Sequence, residues 1–195
     1  MIKILGFIPW LPSSSKKMPC AILYLVSKST RFYLLLFLFL FSLFCCKTYS
    51  QQDTVIEVKD GDTVVIQPAN SERYTCRLYG IDAPETAKRG KPGQPYGEEA
   101  KDTLLDLVLK KQVEVEIKDR DRYGRMVCII RLDGVDINRK MIKLGLAWAY
   151  IEYLKGPYAS IYYDAEKDAR SKRLGLWKHA NPQPPWEFRK MLEGR

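Results

Sequence analysis

The sequence predicts an α+β fold, a five-stranded β-barrel packed with three α-helices, and three observations predict it. Short runs rich in Val, Ile and Tyr alternate with turn residues between 53 and 132. A helical period interrupts them from Gly97 onward, and two more helical periods with end signals follow the last strand.

Taken in order, Val55–Val58 is a strand leading into Asp60-Gly61-Asp62, where glycine supports a tight turn, and Thr63–Ile66 returns as the second strand. After Pro68–Ser71 the third strand runs from Tyr74 to Ile81. Thr86–Tyr96, with Lys88, Arg89, Lys91, Gly90, Gly93, Pro92 and Pro95, reads as a basic loop. The first helix starts at Gly97. Glu98 and Glu99 complement its N-terminal dipole, Ala100, Leu104, Leu107 and Val108 share one face, and Lys110-Lys111 closes it. Gln112–Lys118 alternates inward Val113, Val115 and Ile117 with outward Glu114 and Glu116, and Arg125–Leu132 is the fifth strand. Asp136 caps a second helix with the apolar face Ile137, Met141 and Leu144, stopped near Gly145. The third helix spans Tyr158–Arg173, facing Ile161, Ala165 and Ala169 inward, and Gly175 ends it. Strands joined by short turns, with one helix between the third and fourth, suit a barrel of OB type.

Residues 1–50 do not belong to that domain. They hold six basic side chains and no Asp or Glu, so six of the nine net positive charges lie there and +3 remains for residues 51–195. Composition therefore does not support a strongly basic surface that grips nucleic acid at random. Phe32–Cys46 is an uncharged run of 15 residues. As a helix that run is roughly 22 Å long, short of the ~30 Å hydrocarbon core. Basic residues ahead of it and Thr48-Tyr49-Ser50 after it describe a secretory signal peptide, giving a secreted or periplasmic protein. Lys47 directly after the run suits an uncleaved membrane anchor instead. The organisation expected is 1–50 targeting segment, 51–180 single domain, and 181–195 a Pro-rich tail draped over the surface. Cys76 and Cys128 read as two small buried hydrophobes.

Three stretches carry chemistry: Asp60-Gly61-Asp62-Thr63, Arg77 to Glu85, and Asp121-Arg122-Tyr123-Gly124-Arg125. Asp62 and Asp82 offer oxygen donors for a hard cation, Arg77 and Arg125 offer planar guanidinium forks, and Glu85 is a further carboxylate three residues after Asp82. These parts suit hydrolysis of a phosphodiester, whose transition state gains negative charge while water loses a proton. Arg77 and Asp82 are separated by an odd offset, so a distortion near Gly80 is required to turn both to one site. With His179 as the single histidine, Ser-His-Asp catalysis and histidine metal clusters are excluded, and no Gly-rich phosphate fingerprint is present.

From about Thr54 to Trp177 the chain resembles the staphylococcal nuclease family, the three stretches matching in order and spacing. The resemblance implies a Ca2+-dependent nuclease cleaving DNA and RNA, single-stranded or unpaired, with little sequence preference and leaving 3′-phosphates. It implies Asp62, Asp82 and the Ala83 carbonyl as metal ligands, Arg77, Glu85 and Arg125 as the catalytic groups, and Arg122 and Tyr123 at a terminal phosphate. Tyr150 and Tyr153 fall near aromatics that flank the nucleotide in the family, or else pack in the core. A monomer is expected. The competing class is a non-catalytic nucleic-acid or protein-binding module, which would not need all five metal and catalytic side chains.

Overall fold

A computed structural model of the chain describes residues 53–194 and, before them, Tyr33. The chain separates into two units, Met1–Tyr49 and Ser50–Arg195. The signal-peptide or anchor expectation for residues 1–50 therefore lies outside the described residues, save for Tyr33. Among the described residues no helix is long and apolar enough to cross a membrane.

Strands β1 (Asp53–Asp60), β2 (Thr63–Gln67), β3 (Tyr74–Leu78), β5 (Gln112–Arg120) and β6 (Met126–Leu132) form the barrel, in the order β3-β2-β1-β5-β6. A parallel β3–β6 pairing, Arg77 opposite Val127, closes it. The short strand β7 (Val135–Asp136) turns back and pairs antiparallel with the end of β6. The predicted five-stranded OB-type barrel is the observed one.

The helices are α1 (Gly97–Val108), α2 (Ile137–Lys143), α3 (Pro157–Ser171) and α4 (Pro185–Glu193). Asp136 caps α2 as predicted, its side chain accepting from Arg139 N at 2.8 Å. Lys111 closes α1 by donating to the carbonyls of Asp106 and Leu107, both at 2.8 Å. The fourth helix was not predicted. Residues 181–195 do not merely drape as a tail, because α4 inserts Phe188 into the fold and seats Trp186 against Trp148.

Three inward assignments also differ. Ile117, near the end of the regular alternation on β5, is 55% exposed. Leu144 lies beyond the end of α2 and is exposed, and on α3 it is Tyr162 rather than Ile161 that is fully buried. Tyr162 reaches the core because its hydroxyl finds Asp136, at 2.9 Å, which satisfies the one polar atom an aromatic core residue carries.

The core fills the barrel and the space under α1, α2 and α3, with Val55, Ile66, Leu78, Leu104, Ile129 and Met141 fully buried. Burial of each such side chain contributes about 2 kcal/mol. Cys128, Ile129 and Ile130 are buried in succession, as in a strand covered on both faces. Cys76 and Cys128 are buried free thiols, as expected.

The third strand ends at Leu78 rather than Ile81. Gly80 takes a φ of +70°, and the chain resumes as β4 (Ile81–Asp82), which leaves the barrel to pair with β8 (Trp148–Ala149). A Cβ at Gly80 would lie 2.1 Å from Leu154 Cδ2, so both the backbone angle and the space require glycine. The distortion anticipated between Arg77 and Asp82 is this break.

Candidate active site

Asp62 lies in the β1–β2 turn, where Asp60 pairs with Thr63. Thr63 pairs in turn with Arg77 on β3, so the turn overhangs that arginine. Alternation along β3 buries Cys76 and Leu78 in the barrel and turns Arg77 to the outside. Arg125 stands two residues before Val127, the partner of Arg77, and so shares its face. Both arginines line a cleft of about 1140 Å³.

Arg77 bridges two carboxylates. Its Nη1 pairs with Asp62 Oδ2, and its Nη2 donates to Asp82 Oδ1 at 2.6 Å. Asp62 is held from its other sides by Ala83 N, which donates to Oδ2 at 2.8 Å, and by the Thr63 hydroxyl at 2.9 Å. Burial opposes the charge of Arg77, yet Asp62 and Asp82 outweigh it and hold its pKa above the ordinary arginine value.

Of the ten side chains and backbone groups singled out from sequence, nine line this cleft: Asp62, Arg77, Ala83, Glu85, Arg122, Tyr123, Arg125, Tyr150 and Tyr153. Asp82 is the tenth. It is fully buried beneath the arginines, and burial pushes its carboxyl above the usual range against the pull of Arg77 and Arg189. Ala83 meets Asp62 through its N–H. Tyr123 is exposed at the mouth, where Arg122 donates to its hydroxyl at 2.8 Å. Tyr150 and Tyr153 lie with ring centroids 4.6 Å apart at the cleft wall, not in the core.

Sequence reasoning missed three residues that shape the site. Gln94 exchanges hydrogen bonds with the Glu85 backbone, accepting from Glu85 N at 3.0 Å and donating its own N–H to the Glu85 carbonyl at 2.8 Å. That carbonyl also lies where a Cβ on Gly97 would be, 2.2 Å away, so only glycine lets α1 start there. Asp121 folds the 121–125 turn: its Oδ1 accepts from Tyr123 N and Arg125 N, both at 2.9 Å, and its Oδ2 accepts from Arg125 Nε at 2.7 Å. An aspartate opening a turn that closes on glycine was a legible signal for this.

The third is Arg189, on α4. It donates through Nη2 to Asp82 Oδ2 at 2.8 Å and through Nη1 to Asp82 Oδ1 at 3.2 Å and Glu85 Oε1 at 2.7 Å. Burial opposes its charge, but Asp82 and Glu85 hold its pKa above the ordinary value. Lys88 completes the balance, 2.9 Å from Asp60 Oδ2 and 3.6 Å from Glu85 Oε2.

Asp62 and Asp82 thus converge on one cation, Arg77, with only hard oxygen donors around it. That chemistry fits Ca2+ or Mg2+ and not a soft metal. Among the described residues no group of three or more Asp, Glu, His or Cys side chains is arranged to hold an ion, and the Asp82 oxygens accept from Arg77 and Arg189.

Residues 75–179 match the family model described as staphylococcal nuclease homologue, more than half of the chain. The chain belongs to the staphylococcal nuclease family. Within this family it is 37% identical over 145 residues to a micrococcal nuclease of Shigella flexneri, covering 70% of this chain and 79% of that one. An uncharacterized endonuclease of Haemophilus influenzae is 35% identical over 145 residues, 74% of this chain and 76% of its own. A probable staphylococcal-like nuclease of Oryza sativa subsp. japonica is 45% identical over 120 residues, 62% of this chain. The chain spans 34% of the length of that rice nuclease. The staphylococcal nuclease match ends before α4, so Arg189 and Trp186 lie outside the matched segment.

Proposed function

We propose that this chain is an exported, Ca2+-dependent nuclease, acting as a monomer, that hydrolyses phosphodiester bonds of DNA and RNA with low sequence selectivity and leaves 3′-phosphates. The observation that carries this reading is that Asp62, Arg77, Glu85 and Arg125, drawn from three separate stretches, line one cleft in which Arg77 ties Asp62 to the buried Asp82. The names of the Shigella and Haemophilus relatives, a micrococcal nuclease and an endonuclease, agree with it.

Asp62, Asp82 and the Ala83 carbonyl would hold the cation. When bound, it supplies Lewis-acid stabilisation of the charge that develops on the phosphoryl oxygens. Glu85 takes a proton from the attacking water, whose oxygen adds to phosphorus. The P–O5′ bond breaks, O5′ leaves with the bonding pair and takes a proton from solvent water, and the phosphate stays on the 3′ side. Arg77 and Arg125 donate to the equatorial oxygens, where their fixed positive charge is worth more in a cleft than in water. Tyr153, exposed at the cleft wall and backed by Tyr150, offers a ring face to any base, and Arg122 with Tyr123 receives a phosphate at the mouth. The residues ahead of the domain, basic and then apolar, support export or retention at a membrane.

The test is cleavage of single-stranded DNA and of RNA by the purified full chain, with Ca2+ and then with excess chelator. Cleavage of both that stops on chelation and returns with Ca2+ is the expected outcome. A folded protein that binds nucleic acid but cuts neither polymer under any divalent ion would reduce it to a binding module.

A further inference from the structure

Arg189 occupies the carboxylates that the cation would need. Both Asp82 oxygens and Glu85 Oε1 accept from it, at 2.8, 3.2 and 2.7 Å. Arg77 also contacts Asp82, but the two arginines are held differently. Arg77 sits on a barrel strand with only 15% of its side chain exposed. Arg189 projects from the nine-residue helix α4, and 38% of its side chain is exposed. A guanidinium open to water on one side leaves its carboxylates at lower cost than one walled in by a sheet.

The helix is seated by aromatic contacts on the same side. Trp186, three residues earlier and on the same face, stacks on Tyr150 with centroids 5.2 Å apart and planes 3° apart, and meets Trp148 edge-on at 5.6 Å. Gln94, which supports Glu85, donates to the Gln183 carbonyl at 3.1 Å just before α4. The helix therefore delivers one positive charge to a fixed point, over the ligand and the base together.

We propose that Arg189 is a tethered counter-cation that competes with the divalent ion for Asp82, so that it sets the cation affinity of the site. This rests on the reading of Asp62 and Asp82 as cation ligands. Arg189 neutralises Asp82 and ties down Glu85 while no ion is present, and a divalent ion binds by displacing its fork. Charge is the physical reason: a positive group beside a cation site repels the incoming ion, and the fork removes lone pairs that the ion must use.

The experiment is Ca2+ titration by calorimetry of the full chain and of Arg189→Ala and Arg189→Lys, each checked for a wild-type thermal transition. Arg189→Ala should bind Ca2+ tighter by about tenfold or more, a modest fraction of the unscreened repulsion between such charges. Arg189→Lys keeps the charge without the fork and should fall between the two. Binding by Arg189→Ala that is unchanged, weaker or absent overturns the proposal. Should the alanine variant not fold, Arg189→Lys decides it, because affinity no greater than wild type overturns the proposal equally. Tighter Ca2+ binding without nucleic-acid cleavage would keep this inference and remove the nuclease reading. Chelator-sensitive cleavage with binding unmoved by Arg189→Ala would do the reverse.

Discussion

Arg77 Nη2 donates to Asp82 Oδ1 at 2.6 Å across an offset of five residues, which a straight strand would place on opposite faces. The contact exists because Gly80 turns the chain out of the barrel at a φ of +70° and re-pairs Asp82 with Trp148 on β8. The carboxylate proposed to hold the cation and the arginine proposed to bind phosphate are brought together by one break in a strand.

Glu85 is the expected base, and Glu85→Gln tests it with little change in shape. The amide still accepts from Arg189 through its oxygen, so the thermal transition should stay near wild type. Turnover should fall by about a hundredfold or more, the usual contribution of a positioned base. Steady-state cleavage at saturating Ca2+ measures it, and near-normal turnover would take Glu85 out of the base role.

Arg125 faces the cleft, and its carboxylate partner is Asp121 rather than Asp62 or Asp82. Arg125→Ala should therefore abolish cleavage, with a loss on the order of a thousandfold. Calcium affinity should persist within a factor of about two. Loss of cation binding in this variant would show that Arg125 supports the ligands rather than the substrate.

Asn138 ties the strand break to the barrel. Fully buried, it accepts from Ile130 N at 3.2 Å and donates to the carbonyls of Tyr79 and Cys128 at 3.1 and 3.0 Å. Asn138→Ala leaves those backbone groups with fewer partners in a dry core, which should destabilise the fold by about 3 kcal/mol. Urea unfolding of the two proteins gives the difference directly. A loss under about 1 kcal/mol would mean that water replaces the amide.

Acid should release Arg125. Burial pushes the Asp121 carboxyl up, but the Arg125 side chain and backbone N–H pull it below its ordinary value of 3.8. A depressed folded pKa contributes stability that is present above the unfolded value and lost as pH falls through the folded one. The melting temperature of wild type should exceed that of Asp121→Asn at about pH 6, and the gap should close as pH drops below roughly 3.8. A gap that does not vary with pH would mean that the charge of Asp121 contributes nothing.

The barrel was legible because its signals are local. Runs rich in Val and Ile set β1, β2, β5 and β6, and the capping Asp136 set the start of α2. Arg77, Asp62, Glu85 and Arg125 were legible for a related reason, since charged groups at fixed offsets from turns leave a recognisable pattern. The tail was misread for want of such a pattern. The prolines at its start read as a surface tail, although proline at a first helical turn is also a start signal, and α4 begins at Pro185.

By itself, then, the sequence determined a five-stranded barrel, three of the helices and a set of acidic and basic side chains suited to a phosphodiester. Tertiary structure alone decided that Asp82 would be buried and that Arg189, 104 residues from Glu85 in the chain, would lie on both. The physical reason is range. Periodicity and turn chemistry act over a few residues, whereas the seat of α4 depends on Trp148, Tyr150 and Trp186 meeting only after the barrel and helices have packed.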